Sequence, residues 1–206
     1  MTDPDHELVV ACQQSAGEEF EEAYRQLFVL YQDRVYTICL RVTGNREDAL
    51  DAAQETMLTL VRRIGDFAFR SRFSSWVYRI AVNAAIDIRR RRTDAERGGV
   101  RTTVGTAEAE LSMEAAPSDP ESTDPFVAAA RTEDREIVKE ALTRLNPRFS
   151  TLLVLRYVQG LSYEEIAEVQ ECSLGTVKSR LNRAHGALRE LLGHAGQASS
   201  STNPES

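Results

Sequence analysis

Hydrophobic residues in the first part of the chain recur at intervals of three and four, the period of a helix that buries one face. Between residues 24 and 42 this inward set comprises Tyr24, Leu27, Phe28, Tyr31, Val35, Ile38, Cys39 and Val42. Gly44 and Asn45 come directly afterwards, and such a pair ends a helix. The pattern therefore predicts a long first helix that stops at Gly44.

A second helix with the same period is predicted from about Arg46 to Gly65. Acidic side chains occupy its first turns, where the positive end of the helix dipole favours them. Its inward face is predicted to contain Ala49, Ala52, Ala53, Met57, Leu60, Val61 and Ile64.

A third helix is predicted to begin with Ser74 or Ser75 as its cap. The preceding residues 66–73, DFAFRSRF, lack a helical period and predict a loop. Three helices with one shared core predict a first domain at residues 18–92. The core face of the third helix is Val77, Ile80, Ala81, Ala84 and Ile88.

Helical patterns return in the second half and predict another domain at residues 131–193. Asn146-Pro147 caps and opens one helix, the segment Ser162–Glu165 forms a capping box, and Ser173 caps a last helix. No strand-like alternation of useful length occurs in the sequence. The predicted fold class is therefore all-α, with two small helical domains, and the first inward stripe of the second domain is Ile137, Val138, Ala141, Leu142 and Leu145.

The segment between the domains, residues 93–130, has eight acidic residues against two arginines, a formal charge of −6. It lacks a sustained apolar period, so burial cannot offset the entropy lost on ordering, and a flexible acidic linker is predicted. Residues 1–17 and 194–206 are predicted to be loose tails for the same reason. The whole chain has 206 residues and a formal net charge of −7.

Composition narrows the function classes. No apolar run approaches the roughly 20 residues that cross a bilayer, and the first residues lack a secretory pattern, which predicts a cytoplasmic protein without membrane insertion. Three cysteines without a C-x-x-C pair predict neither a disulfide framework nor a metal site. No phosphate loop or nucleophile–base pair is present, so we expect no catalytic residue and no cofactor.

Residues 162–188 contain two short amphipathic helices, the second basic and free of carboxylates from Cys172 to Leu188. This arrangement is typical of a helix-turn-helix, whose second helix enters the major groove. Leu174, Val177, Leu181 and Ala184 are predicted to face inward. An ordinary helical hairpin with a solvated basic face is the alternative. The outward, DNA-facing candidates are Ser173, Thr176, Lys178, Ser179, Arg180, Asn182 and Arg183.

Residues 67–92 combine five aromatic residues with seven arginines. Aromatic faces that stack on unpaired bases, beside guanidinium groups that hold the backbone, are the ingredients of a single-strand site. The alternative is that Trp76 and some of the phenylalanines belong to the core. The third helix also carries a continuous polar stripe, formed by Arg79, Asn83, Asp87 and Arg90.

Three blocks of the sequence together resemble bacterial sigma factors of the extracytoplasmic-function (ECF) group. They are GNREDALDAAQETML at 44–58, FSSWVYRIAVNAAIDIRRRR at 73–92 and LSYEEIAEVQECSLGTVKSRLNRAHGALRELL at 161–192. The resemblance covers both predicted domains, in the family's order. It implies a non-catalytic subunit that directs RNA polymerase to promoters through regions 2 and 4.

The resemblance also implies roles for individual residues. The second helix would dock on the clamp helices of the polymerase's largest subunit through Asp48, Asp51, Gln54 and Glu55. The flap of core polymerase would be a further contact. The helix-turn-helix would read the minus-35 element. The minus-10 element would be melted and bound by Phe67, Arg70, Arg72, Phe73, Trp76, Arg79, Asn83, Arg89 and Arg90.

Lys178 and Asn182 depart from the family, which often has arginine and an aromatic residue there, so base preference is not transferred. The family implies core RNA polymerase, promoter DNA and an anti-sigma factor as partners. The acidic linker resembles the segment that members thread toward the polymerase active-site cleft. A stand-alone helix-turn-helix regulator is the alternative function, although it leaves the blocks at 46–58 and 67–92 unexplained.

Overall fold

A computed structural model describes residues 5–96 and 132–200, and all regular structure in these two ranges is helical. The predicted all-α class with two helical domains is confirmed. Most of the predicted linker lies outside the described residues. Within them, no helix is long and apolar enough to span a membrane. The first domain comprises α1 (His6–Gln14), α2 (Glu18–Thr43), α3 (Arg46–Arg63), a 3₁₀ turn (Ile64–Asp66) and α4 (Phe73–Glu96).

Within residues 132–200, the second domain has four α-helices and one π-helical turn. Its helix-turn-helix is made by the last two helices, which are joined through residues 171–173. The elements are α5 (Thr132–Arg144), α6 (Pro147–Leu153), the π turn (Val154–Val158), α7 (Tyr163–Gln170) and α8 (Leu174–Ser200).

Local signals set the helix ends where the sequence predicts them. Gly44 ends α2 in the left-handed region, with φ +70°, and its N–H donates to the Leu40 carbonyl at 2.9 Å. The Asn45 side chain then accepts from the Glu47 N–H at 2.8 Å and starts α3. In the second domain, the Asn146 side chain accepts from the Arg148 N–H at 3.0 Å. Both bonds of the Ser162 capping box are present.

The core of the first domain lies between α2, α3 and α4, and the predicted inward faces form it with two exceptions. Phe28 and Val61 are each 39% exposed, so the prediction that they face inward is wrong. Their neighbours Leu27 and Leu60 take the core positions. One residue along a helix is a rotation of about 100°, which carries the adjacent side chain away from the core.

Most of the described residues in the two predicted tails are helical. Instead of a loose segment, α1 packs on α2, with Val9 and Cys12 buried. The Tyr31 hydroxyl donates to the Asp5 carboxylate and fixes the start of α1. At the other end, α8 continues to Ser200 through part of the predicted tail 194–206. Helix α1 has a packing partner in α2, and the end of α8 continues the turns that precede it. Neither feature is visible in a short window of the sequence.

The third predicted helix, α4, begins before its predicted caps and ends later than residue 92. It starts at Phe73 and continues to Glu96. Ser75 does not cap it; this side chain is buried and its hydroxyl donates to the Glu168 carboxylate at 2.9 Å. A contact between the two domains thus replaces the predicted local one.

The two domains pack against each other along α2 and α4. The second domain meets α2 through α5 and α6, and it meets α4 through α7. Arg89 joins the helix ends: its guanidinium donates to the carbonyls of Val42 at 3.0 Å, Thr143 at 2.5 Å and Leu145 at 2.8 Å. Burial lowers the pKa of Arg89, and the Arg92 charge adds to this effect. A cation suits this place because both helices end in carbonyl groups there.

We predict that Leu60→Ala lowers the free energy of unfolding by about 2–5 kcal/mol, because it leaves a cavity in the shared core. Leu58→Ala, two positions away and 46% exposed, is the matched control and should change it by less than about 0.5 kcal/mol. Urea unfolding followed by the fluorescence of Trp76, the single tryptophan, measures the first domain. Equal effects of the two substitutions would contradict the described core.

Candidate nucleic-acid interface

The helix-turn-helix is built from α7, α8 and a tight turn between them. Glu171 occupies the left-handed region with φ +49°, the conformation that glycine usually supplies. The Ser173 side chain accepts from the Thr176 N–H at 3.1 Å and caps α8 as predicted. Buried side chains hold the two helices together: Ile166, Val169, Val177, Leu181, Ala184 and Leu188.

The outer face of α8 presents the residues that the sequence selects for the major groove. Two of them, Thr176 and Arg180, are partly buried, and Leu174 is 37% exposed, which corrects its predicted inward position. Leu174 is the first residue of α8 and lies ahead of the buried stripe. Contact of this face with DNA stays a prediction, and its exposed members are Ser173, Lys178, Ser179, Asn182 and Arg183.

Three aromatic residues proposed to stack on bases belong to the core instead. Phe67, Phe73 and Trp76 are 6%, 1% and 7% exposed, and their rings pack on one another with centroids 5.2–5.7 Å apart. Their burial removes the free faces that stacking needs, which corrects that part of the prediction. Phe69 is the exposed aromatic residue of this loop, at 40%, and has a positive φ of +55°.

Two members of the polar stripe of α4 are exposed on its outer side. Asn83 and Arg90 are exposed, and Arg90 forms an ion pair with Asp87 at 3.2 Å. Arg70 is exposed in the loop before the helix. Asn83 therefore offers an amide with both a donor and an acceptor to a base edge, beside cations that suit a phosphate backbone.

Other predicted DNA-binding cations of this surface are occupied within the chain. Arg72 pairs with Glu165, and Arg79 pairs with Glu171. Both glutamates lie on the second domain. Arg89 binds the backbone carbonyls described above. The structure thus brings the α4 face and the helix-turn-helix domain together, and in this arrangement these guanidinium groups serve the domain contact.

The predicted polymerase-binding residues divide into two groups. Asp51, Gln54 and Glu55 line one shallow depression on the exposed side of α3, together with Leu58, Thr59 and Arg62. Asp48 is set apart from it, because its carboxylate binds Arg92 of α4 at 2.5 Å. Asp48 therefore connects two helices of the first domain, which gives it a structural partner that the sequence does not reveal.

Sequence reasoning missed the contribution of α1 to the loop. The Gln13 side-chain amide donates to the carbonyls of Ile64 at 2.9 Å and Phe67 at 2.8 Å. The His6 ring lies 4.8 Å from the Phe69 ring. Both contacts hold residues 64–69 from outside the core. No local pattern marks Gln13, whose partners are 51 and 54 residues away in the chain.

Comparison with family models defines the class of this protein. Residues 27–95 match the model for sigma-70 region 2, and residues 135–188 match the model for sigma-70 region 4. Together the two matches cover more than half of the chain and fall in the first and second domains. The fold and the two polar faces therefore belong to a sigma factor of RNA polymerase.

Relatives narrow the class to one group. The chain is 32% identical over 177 residues to the ECF RNA polymerase sigma factor SigW of Bacillus subtilis, covering 84% of this chain and 90% of SigW. It is 33% identical over 168 residues to the ECF RNA polymerase sigma-E factor of Escherichia coli, covering 82% and 85%. The chain belongs to the ECF group of sigma factors.

Solved structures share the fold. CnrH, in a complex with the cytosolic domain of CnrY, superimposes with a TM-score of 0.63 at 20% identity and covers 92% of this chain and 97% of its own. The sigma factor RpoE of Bartonella quintana, in a complex with the anti-sigma factor NepR, gives 0.58 at 22% identity and covers 82% and 96%.

We predict that Gln13→Ala speeds hydrogen exchange of the Phe67 amide by about thirtyfold, because two hydrogen bonds to the loop are lost at roughly 1 kcal/mol each. The amide is chosen because it donates to the Ile64 carbonyl that Gln13 also binds. Gln14→Ala, an exposed neighbour on the same helix, is the control and should leave the rate unchanged. Unchanged exchange in both variants would contradict the role of Gln13.

Proposed function

We propose that this ECF sigma factor binds core RNA polymerase, recognises the minus-35 and minus-10 elements of a promoter set, and assists promoter melting. The observation that carries the proposal is the presence of two outward polar faces, one on α4 and one on α8, in separate domains. A protein that binds two promoter elements needs two DNA-binding faces. A simple helix-turn-helix regulator needs only the face on α8.

The α8 face suits duplex DNA. Lys178 and Arg183 present cations to phosphates or guanine, and Asn182 presents an amide that fits adenine. The α4 face suits an unpaired strand, because Asn83 can read the edge of an extruded base while Arg90 holds the backbone. Phe69 is the aromatic ring that remains exposed for stacking beside it.

The α3 depression is the proposed contact with the clamp helices of the polymerase. Asp51, Gln54 and Glu55 give it acidic and amide groups, and exposed Leu58 adds apolar surface. Polar groups around an apolar centre are common in protein interfaces. The protein contributes no catalytic group under this proposal; polymerase carries out the chemistry.

An anti-sigma factor is proposed as a further partner. One solved structure described above is a complex of CnrH with the cytosolic domain of CnrY, and the other is a complex of the sigma factor RpoE with the anti-sigma factor NepR. Their likeness to this chain supports a partner of the same kind. Exposed apolar side chains on α2, Val29 at 60% and Leu30 at 51%, are available to such a partner.

A transcription assay with purified core polymerase tests the proposal. Promoters are first selected from a random library with the assembled holoenzyme, and run-off transcription from a selected promoter is then measured with and without the protein. Transcription should depend on the protein. A shift of duplex DNA by the free protein without any stimulation of transcription would favour the stand-alone regulator instead.

Substitution of two exposed asparagines distinguishes the proposed contact with the minus-10 element from the proposed contact with the minus-35 element. Asn83→Ala should reduce discrimination against base changes in the minus-10 element by about tenfold, the effect of losing one base contact worth roughly 1–3 kcal/mol. Asn182→Ala should do the same for the minus-35 element alone. Each variant is the control for the other, since both remove one exposed amide. Each variant could lose base discrimination equally at both elements, or at neither. Either result would contradict the assignment of one asparagine to each element.

A further inference from the structure

The ring of Phe69 in the loop before α4 is held by the N-terminal helix. The His6 ring, at the start of α1, has its centroid 4.8 Å from that of Phe69, and the two planes are tilted by 54°. On another side the buried Phe67 ring makes an edge-to-face contact with Phe69, with the centroids 5.0 Å apart. Phe69 is therefore supported by two rings from different elements, and it is still 40% exposed.

The backbone of Phe69 depends on this support. Its φ of +55° lies in the left-handed region, which a bulky side chain seldom adopts. Such a conformation persists only where the surrounding structure holds it, and residues of this kind cluster at binding sites. A return to negative φ would change the direction in which the Phe69 ring leaves the chain. The contacts of the ring and the direction of the backbone are thus linked.

Helix α1 gives the His6 ring a fixed position. The helix packs on α2 and on the 3₁₀ turn, and the Tyr31 hydroxyl donates to the Asp5 carboxylate directly before His6. Two turns further along the same side of α1, the Gln13 amide donates to two carbonyls at the start of the loop. One side of α1 therefore contacts both the backbone of the loop and its exposed ring.

We propose that His6 is a positioning residue of the minus-10 site, which holds the Phe69 ring where an extruded base stacks on it. The inference rests on the proposed function of the loop and of the α4 face. His6 acts through Phe69 and does not itself contact the base. A ring that is fixed before DNA arrives loses less freedom on binding than one that must first be ordered, so the prearranged contact strengthens stacking.

The test uses holoenzyme assembled from core polymerase and the full-length chain. Its ligand is a labelled single-stranded oligonucleotide that contains the minus-10 sequence selected from the random library. Fluorescence anisotropy gives the affinity of the holoenzyme for this strand. In a second set of oligonucleotides, 2-aminopurine replaces each base in turn. Its fluorescence falls when it stacks on an aromatic ring, so it identifies the base that stacks.

His6→Ala should weaken the affinity about threefold, the effect of losing one aromatic contact, and should reduce the quenching of the stacked 2-aminopurine. Phe69→Ala should weaken the affinity about tenfold, because the stacking surface itself is lost. His6→Phe keeps a ring at the same place and should have the wild-type affinity. Gln14→Ala, which removes an exposed amide from α1, is the control and should change neither measurement.

The double variant His6→Ala/Phe69→Ala separates positioning from a general contribution to stability. Because His6 acts through Phe69, adding His6→Ala to Phe69→Ala should cause no further loss of affinity. A further threefold loss in the double variant would overturn the positioning role. An affinity that either single alanine substitution leaves unchanged would overturn it as well, and so would a failure of His6→Phe to keep the wild-type affinity.

Run-off transcription with the same holoenzymes keeps this proposal apart from the proposed function. Protein-dependent transcription, combined with no effect of His6→Ala on the oligonucleotide, would leave the sigma function in place and overturn the role of His6. Absence of protein-dependent transcription from every selected promoter would overturn the proposed function itself, and the role of His6 would fall with it.

Discussion

The burial of one face of α4 is the constraint on which the rest of the structure depends. Val77, Ala81 and Ala85 are fully removed from solvent, and this fixes the rotation of the helix about its axis. The side chains of Arg79 and Asn83 must then point away from the core. The same burial draws in Phe67, Phe73 and Trp76, so the loop that carries Arg70 and Arg72 is anchored from inside.

Local interactions explain what the sequence could predict. The boundary at Gly44-Asn45 and the capping box at Ser162 involve partners within four residues, and both have the predicted form. The helical period also separates Val177 and Leu181, which are buried, from Lys178 and Asn182, which are exposed. Such features are written in short windows, because propensity and capping act over one turn.

Long-range contacts explain which features of the structure the sequence could not predict. Arg72 and Arg79 find carboxylates 93 and 92 residues away, and Gln13 reaches carbonyls more than 50 residues away. The aromatic residues of the loop mislead for a related reason. A loop has no helical period that separates buried rings from exposed ones. Composition alone therefore suggested base stacking for aromatic side chains that are buried in the core.

An acidic protein can hold DNA-binding faces because its charges are segregated along the chain, and the ion pairs of Arg72 and Arg79 with acids of the second domain add a second reason. The α4 cations are partly neutralised by the protein's own acids, which lowers the attraction of the free chain for nucleic acid. The α3 depression is formed by α3 alone and lies on the exposed side of that helix. Under the proposed function, polymerase would reach α3 without any change in the contact between the domains.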